Sequence, residues 1–323
     1  MRALALISGG LDSTLAARVI KELGVEVIGL HFDIPFYARK KKPLPEIGIE
    51  MREIDIGSEF LEVLAHPRYG FGSHMNPCID CKILMVKKAL ELLDGLGAQF
   101  IITGEVLAQR PMSQHRQALE LIPKKAGAEG LVVRPLSARH LPETLPEQKG
   151  WIDRNKLLNF AGRGRSAQIA LAKRFGIEHY AQPAGGCLLT DPEFAKRLKE
   201  LMAHSEIELS NIKLLKTGRH FRLTPFTKLI VGRNESENEI LRNAAQDNDH
   251  LFFADEHTAG PTSLARGPMD APLCGLCAKI TARFCDRQGD NEITIQHKTT
   301  KEDTQEALGA TPIDGATLLG LKI

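Results

Sequence analysis

The stretch Ser8-Gly9-Gly10-Leu11-Asp12-Ser13-Thr14 stands between two segments of different hydrophobic pattern. Residues 3–7, before it, are apolar without interruption and predict a buried β-strand. Residues 15–23, after it, repeat their apolar side chains at helical spacing and predict an α-helix. A strand, a glycine turn and a helix N-terminus direct unpaired backbone N–H groups and the positive end of a helix dipole at one point. Such a point is suited to binding phosphate.

The residue types within this turn support that interpretation. Gly9 and Gly10 let the backbone approach an anion, because no Cβ stands in the way. Asp12 is a candidate ligand of a phosphate-bound Mg²⁺. Hydroxyl groups that can donate to phosphate are carried by Ser8, Ser13 and Thr14. The turn lacks the lysine of a Walker-type loop, and a plain helix cap after a glycine turn is the alternative to a nucleotide site.

The same run resembles the SGGxDS motif of the PP-loop ATP pyrophosphatase superfamily, and every position of the motif matches. The resemblance implies that ATP is cleaved to AMP and pyrophosphate, with the pyrophosphate held on residues 8–13. It also implies an α/β fold with a parallel-sheet PP-loop domain of the adenine nucleotide alpha hydrolase-like type. We expect this domain to span residues 1–192 and a smaller α+β domain to span residues 193–323.

Composition narrows the class of protein. The chain of 323 residues has a net charge of +2, too small to indicate nucleic-acid binding from bulk charge. No apolar run reaches the roughly 20 residues that cross a membrane, so we expect no membrane contact. Six cysteines in a chain of this length do not indicate a disulfide framework. Because no targeting segment is recognised, the sequence predicts a cytoplasmic protein.

A second predicted strand, at residues 25–32, completes a βαβ unit with a right-handed crossover. Ligands of such sheets bind at the carboxyl ends of the strands. His31 and Phe32 lie at that end, so they are candidates for a wall against the adenine ring, with strand-end packing as the alternative. A basic run at residues 39–42 is interpreted as a solvated loop rather than an RNA contact.

Further elements are predicted along the first domain. The hydrophobic pattern predicts strands at residues 51–56 and 99–105. A linker is predicted to begin at Arg134, because prolines follow at positions 142 and 146. Residues 151–178 predict two helices separated by Gly162-Arg163-Gly164-Arg165-Ser166. The two arginines of that segment are candidates for gripping a phosphate of ATP or tRNA, and a surface loop is the alternative.

Cysteine spacing indicates sulfur or metal chemistry. Cys78-Ile79-Asp80-Cys81 precedes a segment of helical periodicity, so this C-x-x-C motif is predicted at a helix N-terminus. The motif has redox uses, because a helix dipole lowers thiol pKa values, and it has metal-binding uses. Cys187 follows Gly185 and Gly186, and a cysteine on a Gly-Gly turn is a positioned residue. Purely structural roles for these cysteines are the alternative.

A narrower resemblance covers the segments NPCIDCK, residues 76–82, and GAQFIITGEVLAQRPMSQ, residues 97–114. They resemble the catalytic domain of tRNA 4-thiouridine synthases and, more distantly, the tRNA 2-thiouridylases. The resemblance implies that Gly104 and Glu105 border the nucleotide. It extends more loosely to Gln109 and Ser113.

Resemblance to the cluster-containing thiolases implies three cysteine ligands, a C-x-x-C pair and one distant partner. The matching residues are Cys78, Cys81 and Cys187. Three thiolates would hold a [4Fe-4S] cluster and leave one iron open for sulfide. The alternative is a persulfide and disulfide couple between Cys187 and one of the other two cysteines.

The chain after residue 192 predicts a second domain with an RNA-binding stretch. Residues 193–203 predict a helix, and residues 228–238 predict a strand, a turn and a helix. Basic residues interleaved with apolar ones run from Lys213 to Arg233. This region resembles the RNA-binding NFACT-R domain, which implies contact with RNA in the basic stretch.

Three further cysteines, Cys274, Cys277 and Cys285, invite a zinc interpretation. Helical periodicity over residues 272–284 favours buried structural cysteines instead. His297 is the remaining candidate for a zinc ligand. The segment after Thr299 has little periodicity and predicts no element.

Together these features predict an ATP-dependent tRNA sulfurtransferase. A uridine carbonyl oxygen attacks the α-phosphorus of ATP, pyrophosphate leaves, and sulfur then displaces AMP. The catalytic residues of this hypothesis are Asp12, Cys78, Cys81 and Cys187. Its partners are tRNA and a sulfur donor, either sulfide or a persulfide carrier, and a homodimer is left open. The rivals are a PP-loop enzyme that adenylates or thiolates a small molecule, and a non-catalytic RNA-binding adaptor.

Overall fold

A computed structural model describes residues 1–37, 48–178, 180, 187–204, 207–286, 292–300 and 305–323. These residues form two compact units, Met1–Asp191 and Pro192–Ile323. The basic run at residues 39–42 and the Gly185-Gly186 turn lie outside the described residues. Each unit has a β-sheet of its own.

Parallel strands form the sheet of the first unit: β1 (Arg2–Leu6), β2 (Glu26–Asp33), β3 (Glu50–Asp55), β4 (Phe100–Ile102) and β5 (Val132–Val133). They lie side by side in the order β3-β2-β1-β4-β5, so the first strand along the chain is central. Leu4 pairs with Ile28 of β2 and with Ile101 of β4, and all three side chains are buried. Continuous apolar strands are typical of a parallel sheet covered on both faces. The predicted parallel-sheet fold is confirmed.

Helices accompany this sheet: α1 (Leu11–Glu22), α2 (Gly57–Ala65), α3 (Cys78–Leu92), α4 (Arg116–Lys125), α5 (Leu145–Gln148) and α6 (Ser166–Arg174). Leu15 and Ile20 of α1 are inaccessible to solvent, and they pack in one core with Phe100 of β4. Because α1 starts five residues after β1 ends, the predicted strand, turn and helix at the N-terminus are confirmed.

Two predictions for the middle of the first unit are wrong. The predicted linker at Arg134 belongs to the core, because this side chain is 7% exposed and its Nε donates to Glu105 Oε2 at 2.9 Å. Residues 151–178, all described, contain one α-helix, α6, and a 3₁₀ turn at Arg154–Lys156. Loops that pack in a core can be as rich in proline as exposed linkers, so composition alone could not distinguish a packed loop from a linker here.

Antiparallel strands form the sheet of the second unit: β6 (Arg219–Arg222), β7 (Lys228–Val231), β8 (His250–Ala254), β9 (Thr262–Arg266), β10 (Ile293–Thr299) and β11 (Gln305–Ala310). Their order is β11-β10-β8-β9-β7-β6. The helices are α7 (Pro192–His204), α8 (Leu209–Leu214), α9 (Glu235–Ala244), α10 (Ala271–Ala282) and α11 (Gly315–Leu321). The predicted smaller α+β region is confirmed.

Local sequence explains several of these elements. Asn234 caps α9, because its side chain accepts a hydrogen bond from the Glu237 N–H at 3.0 Å, and the predicted strand, turn and helix at 228–238 are confirmed. Sequence analysis missed β11 and α11 in the C-terminal segment. Pairing with β10, rather than its own hydrophobic pattern, defines β11. Every helix among the described residues is too short or too polar to cross a lipid bilayer.

Candidate active site

The predicted phosphate loop joins β1 to α1 through a closely bonded backbone. Gly9 has a φ of +69°, a left-handed conformation that favours glycine, whereas Gly10 is extended. The Ser13 hydroxyl donates to the Gly10 carbonyl at 2.9 Å and accepts from the Ser8 N–H at 3.2 Å. The buried Thr14 hydroxyl also donates to the Gly10 carbonyl, at 3.1 Å. The hydroxyls of the helix therefore shape the loop, and exposed Ser8 carries the hydroxyl nearest to solvent.

Asp12, in the first turn of α1, lies among buried polar atoms that lack partners. Its Oδ2 accepts a hydrogen bond from Gln109 Nε2 at 3.0 Å, and its Oδ1 lies 3.8 Å from a terminal nitrogen of Arg165. Among the described residues, Asp12 Oδ1, Gln109 Oε1 and Arg165 Nε have no hydrogen-bond partner. Folded proteins rarely leave buried polar atoms unpaired, so this group indicates the place of a ligand, an ion or water.

Gly104 brings the end of β4 against the phosphate loop. A Cβ at this position would lie 2.4 Å from the Ser13 nitrogen and 2.5 Å from the Asp12 carbonyl carbon. Real Cβ atoms essentially never approach another atom within 3.0 Å. Glycine is therefore required at position 104 for β4 and α1 to meet.

Glu105, the next residue, is held by protein groups on both of its oxygens. Thr103 Oγ1 and Arg134 Nε donate to Oε2 at 3.0 and 2.9 Å, and Lys82 Nζ lies 3.1 Å from Oε1. Burial opposes ionisation, but the charges of Lys82 and Arg134 outweigh it and lower the pKa of Glu105 to about 2. Glu105 thus anchors Lys82, the neighbour of Cys81, to the sheet. Its contact with a nucleotide stays a prediction.

His31 and Phe32 project from opposite faces of β2, because successive side chains of a strand alternate. His31 Nδ1 lies 2.9 Å from the Ile7 carbonyl oxygen, so we assign the ring proton to Nδ1, leaving Nε2 as an acceptor. Both side chains are buried. At most one of them can border a nucleotide, and the adenine wall stays a prediction.

The C-x-x-C motif lies at a helix N-terminus as predicted, because α3 begins at Cys78. Between the two cysteines, the Asp80 carboxylate accepts the backbone N–H groups of Arg68 and Tyr69 at 3.2 and 3.0 Å. These bonds hold the preceding loop against the first turn of the helix. Cys78 and Cys81 are both partly exposed.

Backbone hydrogen bonds bring Cys187 beside the same helix start. Cys187 and Tyr37, just after β2, form an antiparallel bridge. Two further bonds join Leu188 N to Phe36 O at 2.8 Å and Met75 N to Leu189 O at 3.1 Å. Since residue 75 lies in the loop before α3, the chain around Cys187 is bonded to the end of β2 and to the C-x-x-C loop.

The three thiols influence one another electrostatically. Burial raises the pKa of Cys81, and the charges of Cys187 and Cys78 raise it further. Burial raises the pKa of Cys187 to about 11. The phenol of Tyr37 has a raised pKa because it is buried and faces Cys81 and Cys187. The cysteines therefore share one neighbourhood, in which Cys81 and Cys187 are neutral thiols at pH 7.

Two paths of contacts join this cysteine group to the phosphate loop. The first begins at Ile7, continues through its bond to His31 and ends at Tyr37, whose ring centroid is 6.0 Å from that of His31. The second passes from Asp12 and Ser13 through Gly104 and Glu105 to Lys82. The phosphate loop and the cysteines therefore lie at the same edge of the sheet.

Sequence reasoning missed three residues of this site. The charge of Arg110 opposes the rise in the pKa of Cys187, and the charge of Lys82 does so for Cys81. The position of Lys82 directly after the C-x-x-C motif was a usable signal. Nothing in the sequence pattern distinguishes Tyr37 or Arg110.

The predicted iron–sulfur cluster was tested against these residues. Cysteine thiolates are the usual ligands of such clusters, so the donor chemistry is suitable. Within the described part of the chain, however, no three His, Cys, Asp or Glu side chains are arranged to hold a metal ion. That result concerns a single ion, whereas the thiolates of a [4Fe-4S] cluster bind different irons, so the cluster stays a prediction.

Comparison with known proteins confirms the predicted resemblance to tRNA thiouridylases. The chain is 34% identical over 113 residues to the tRNA-specific 2-thiouridylase MnmA of Sulfurimonas denitrificans, covering 31% of this chain and 33% of that protein. It is 24% identical over 347 residues to the tRNA-specific 2-thiouridylase MnmA of Bacillus licheniformis, covering 96% and 88%. The first of these matches spans about a third of the relative's length.

The resemblance of the second unit to an RNA-binding domain is confirmed as well. Residues 218–318 match the family model of the NFACT protein RNA binding domain. Among solved structures, a 4-thiouridine synthetase–RNA complex with bound ATP is 17% identical, with a TM-score of 0.38 over 67% of this chain and 51% of that chain.

Proposed function

We propose that this chain is an ATP-dependent tRNA sulfurtransferase, which activates a uridine carbonyl as an adenylate and replaces its oxygen with sulfur. One observation supports the proposal: the C-x-x-C pair and Cys187, from separate segments of the chain, influence one another electrostatically at the edge of the parallel sheet that carries the phosphate loop. A nucleotide site alone would not need positioned thiols. A redox site alone would not need the loop.

The phosphate loop is proposed to bind the phosphates of ATP. No side chain caps α1, so its first N–H groups are available to phosphate oxygens. Asp12 Oδ1, which accepts no hydrogen bond from the described residues, fits a Mg²⁺ ion, because Mg²⁺ prefers a carboxylate together with substrate phosphates. Bound Mg²⁺ would neutralise charge on the phosphates, and Arg165 would add a cation on the same side.

Activation by adenylation follows from leaving-group chemistry. The uridine carbonyl oxygen attacks the α-phosphorus, and pyrophosphate departs from the loop. An oxygen left on carbon is a poor leaving group, whereas AMP is a good one. The N–H groups and dipole of α1 stabilise the negative charge that develops on the phosphates.

The sulfur is proposed to arrive on a cysteine. A persulfide on Cys187 attacks the activated carbon through its terminal sulfur, and AMP leaves. Cys78 or Cys81 then attacks the sulfur of Cys187, which releases the thiouridine and forms a disulfide. An external thiol reduces that disulfide, and a persulfide carrier then transfers its outer sulfur to the Cys187 thiol and keeps its own thiol. With sulfide as the donor, sulfide instead attacks the disulfide at the sulfur of Cys187, which forms the persulfide and releases the other cysteine as a thiol. Cys78, Cys81 and Cys187 would be the ligands of the alternative, a [4Fe-4S] cluster, which would supply an open iron for sulfide.

The nature of the sulfur carrier has its own test. Anaerobic purification followed by counts of iron and acid-labile sulfide distinguishes a cluster from a persulfide. Four irons per chain after reconstitution would favour the cluster that three cysteines imply. Absence of iron, together with a persulfide on Cys187 detected by mass spectrometry, would favour the cysteine-borne route.

The substrate is proposed to be tRNA, and the enzyme is proposed to act on it in the cytoplasm. The match of residues 218–318 to an RNA-binding domain supports an RNA substrate. The names of the relatives, tRNA-specific 2-thiouridylases, support a uridine in tRNA.

The experiment uses the full chain with ATP, Mg²⁺, sulfide, a thiol reductant and unmodified tRNA transcripts. We expect pyrophosphate release that depends on tRNA, and thiouridine detected by nucleoside mass spectrometry. The Asp12→Asn variant should lose both signals while retaining the fold. Pyrophosphate release that is the same with and without tRNA, and that yields no thiouridine, would instead indicate a small-molecule substrate.

A further inference from the structure

An exposed aromatic ring marks a second site, in the Pro192–Ile323 unit. Phe226 is 73% exposed, the highest value among the large apolar side chains described. It lies on the turn between β6 and β7, where Thr227 N–H donates to the Thr224 hydroxyl at 3.0 Å. A Cβ at Gly267 would lie 2.0 Å from the Phe226 carbonyl oxygen, so the backbone directly after β9 packs against this turn. A rigid backbone therefore holds the ring in solvent.

Beside this ring lies a cavity of about 130 Å³ with an apolar floor and a basic rim. We call its apolar lining residues, among them Leu201, Leu214 and Ile230, the floor, and its basic lining residues Arg222 and Lys228 the rim. Several lining residues precede the segment 218–318 that matches the RNA-binding domain: Leu201, His204, Asn211, Leu214 and Leu215. The cavity thus extends beyond the matched domain.

The rim carries more positive than negative charge. The Glu200 carboxylate accepts from Arg222 Nε at 2.5 Å and from Lys228 Nζ at 2.9 Å, so one anion serves two cations. Among the described residues, the terminal nitrogens of Arg222 donate no hydrogen bond. An arginine with free terminal nitrogens on a half-buried rim is suited to binding a phosphate.

His220, next to this rim, is buried under the influence of the same positive charges. The side chain is 2% exposed, and neither ring nitrogen has a hydrogen-bond partner among the described residues. Its pKa is lowered well below the usual range, first by burial and then by the charges of Lys228 and Arg197. An anion bound at the rim would offset this positive field.

We infer that this cavity binds one unpaired nucleotide of RNA, with its base stacked on Phe226 and its phosphate on Arg222 and Lys228. Stacking on an aromatic ring and a basic groove along the backbone are the two means by which proteins bind single-stranded nucleic acid. The inference rests on the proposed function for its substrate, which is then an unpaired position of the tRNA.

The test measures fluorescence anisotropy of a labelled single-stranded oligouridine with the full chain, without ATP. Phe226→Ala should weaken binding by about tenfold, because stacking contributes roughly 1–3 kcal/mol per base. Phe226→Tyr retains a stacking ring and should bind like the wild type. Leu319→Ala is the matched control, since Leu319 is 70% exposed in the same unit and lies on α11. Arg222→Gln should reduce the slope of the logarithm of the binding constant against the logarithm of salt concentration by about one, the value for one phosphate contact.

A blunt RNA duplex and a crosslinking experiment complete the test. Binding of the duplex should be much less sensitive to Phe226→Ala, because its interior bases already stack on one another and only the two terminal pairs have an open face. Ultraviolet irradiation of the oligouridine complex should modify the tryptic peptide Leu223–Lys228, in which Phe226 is the aromatic residue. The inference would be overturned if Phe226→Ala left the affinity for oligouridine unchanged, or if it lowered the affinity for the duplex by the same factor. The cavity would then be a candidate site for an apolar peptide. Because no ATP or thiolation is involved, these results are independent of the proposed activity.

Discussion

The chain contains the same cysteine spacing twice, and the two copies differ in their position along the helix and in their neighbours. Cys78 and Cys81 begin α3, are partly exposed, and share their neighbourhood with Cys187. Cys274 and Cys277 lie inside α10, where Cys277 is inaccessible to solvent and packs in the core of the second unit. Position relative to the helix start and a third thiol, rather than the spacing itself, therefore distinguish a candidate reactive site from core packing.

The strongest way to test this comparison is to remove the third thiol. Cys187→Ser should lower tRNA thiolation by at least about a thousandfold, because loss of a nucleophile removes the chemical step. Pyrophosphate release with tRNA should persist, since adenylation does not need the thiol. The measurement is thiouridine per tRNA by nucleoside mass spectrometry beside a pyrophosphate assay.

Cys274→Ser provides the matched control for this substitution. It changes a partly exposed cysteine of the second C-x-x-C pair and should leave thiolation unchanged. If Cys274→Ser abolished thiolation as Cys187→Ser does, the distinction between the two groups would fail.

The next largest effect is expected at the contact between β4 and the phosphate loop. Gly104→Ala places a Cβ within 2.5 Å of the Asp12–Ser13 backbone and must displace the loop. A displacement of about 1 Å typically costs about a hundredfold in rate, so pyrophosphate release should fall by about that factor. Gly95→Ala, where a Cβ would meet nothing within 4 Å, should leave it unchanged. Equal rates for the two variants would remove Gly104 from the site.

The separate parts of this site could be predicted from the sequence, but the contacts between them could not. The glycine loop and the C-x-x-C helix were predictable because each depends on a short run of neighbouring residues. The roles of Glu105 and Arg134 were not, because they depend on a buried ion pair between residues 29 positions apart. Composition placed Arg134 in a linker, whereas the charge of Glu105 draws it into the core.

A smaller effect, on stability, is expected from that ion pair. Glu105→Gln leaves Arg134 buried without its anion and detaches Lys82, which should cost about 3 kcal/mol of unfolding free energy. The matched control is Glu59→Gln, which breaks a surface pair with Lys88 at 2.9 Å and should cost under about 1 kcal/mol. Chemical denaturation of both variants measures the difference, and equal costs would contradict an anchoring role.

The same pair predicts a pH dependence. Glu105 has a pKa lowered to about 2 in the folded chain, whereas an unfolded glutamate titrates near 4.3. The stability advantage of the wild type over Glu105→Gln should therefore be full above about pH 4.3, and should disappear as the pH falls toward 2. Denaturation curves of both proteins across this range check the sign, and an advantage that persists near pH 2 would contradict the ion pair.

The smallest effect returns to the second cysteine pair. Cys277→Ser places a hydroxyl in an apolar core and should cost about 1–2 kcal/mol of unfolding free energy, with little change in thiolation by the folded protein. Cys274→Ser, at a partly exposed site, should cost less than about 0.5 kcal/mol. Iodoacetamide should modify native Cys277 more slowly than Cys274, because burial raises the pKa of the Cys277 thiol and shields it. Rapid modification of Cys277 together with loss of thiolation would instead assign this pair to the chemistry, and the position of a C-x-x-C motif in its helix would no longer separate the two groups.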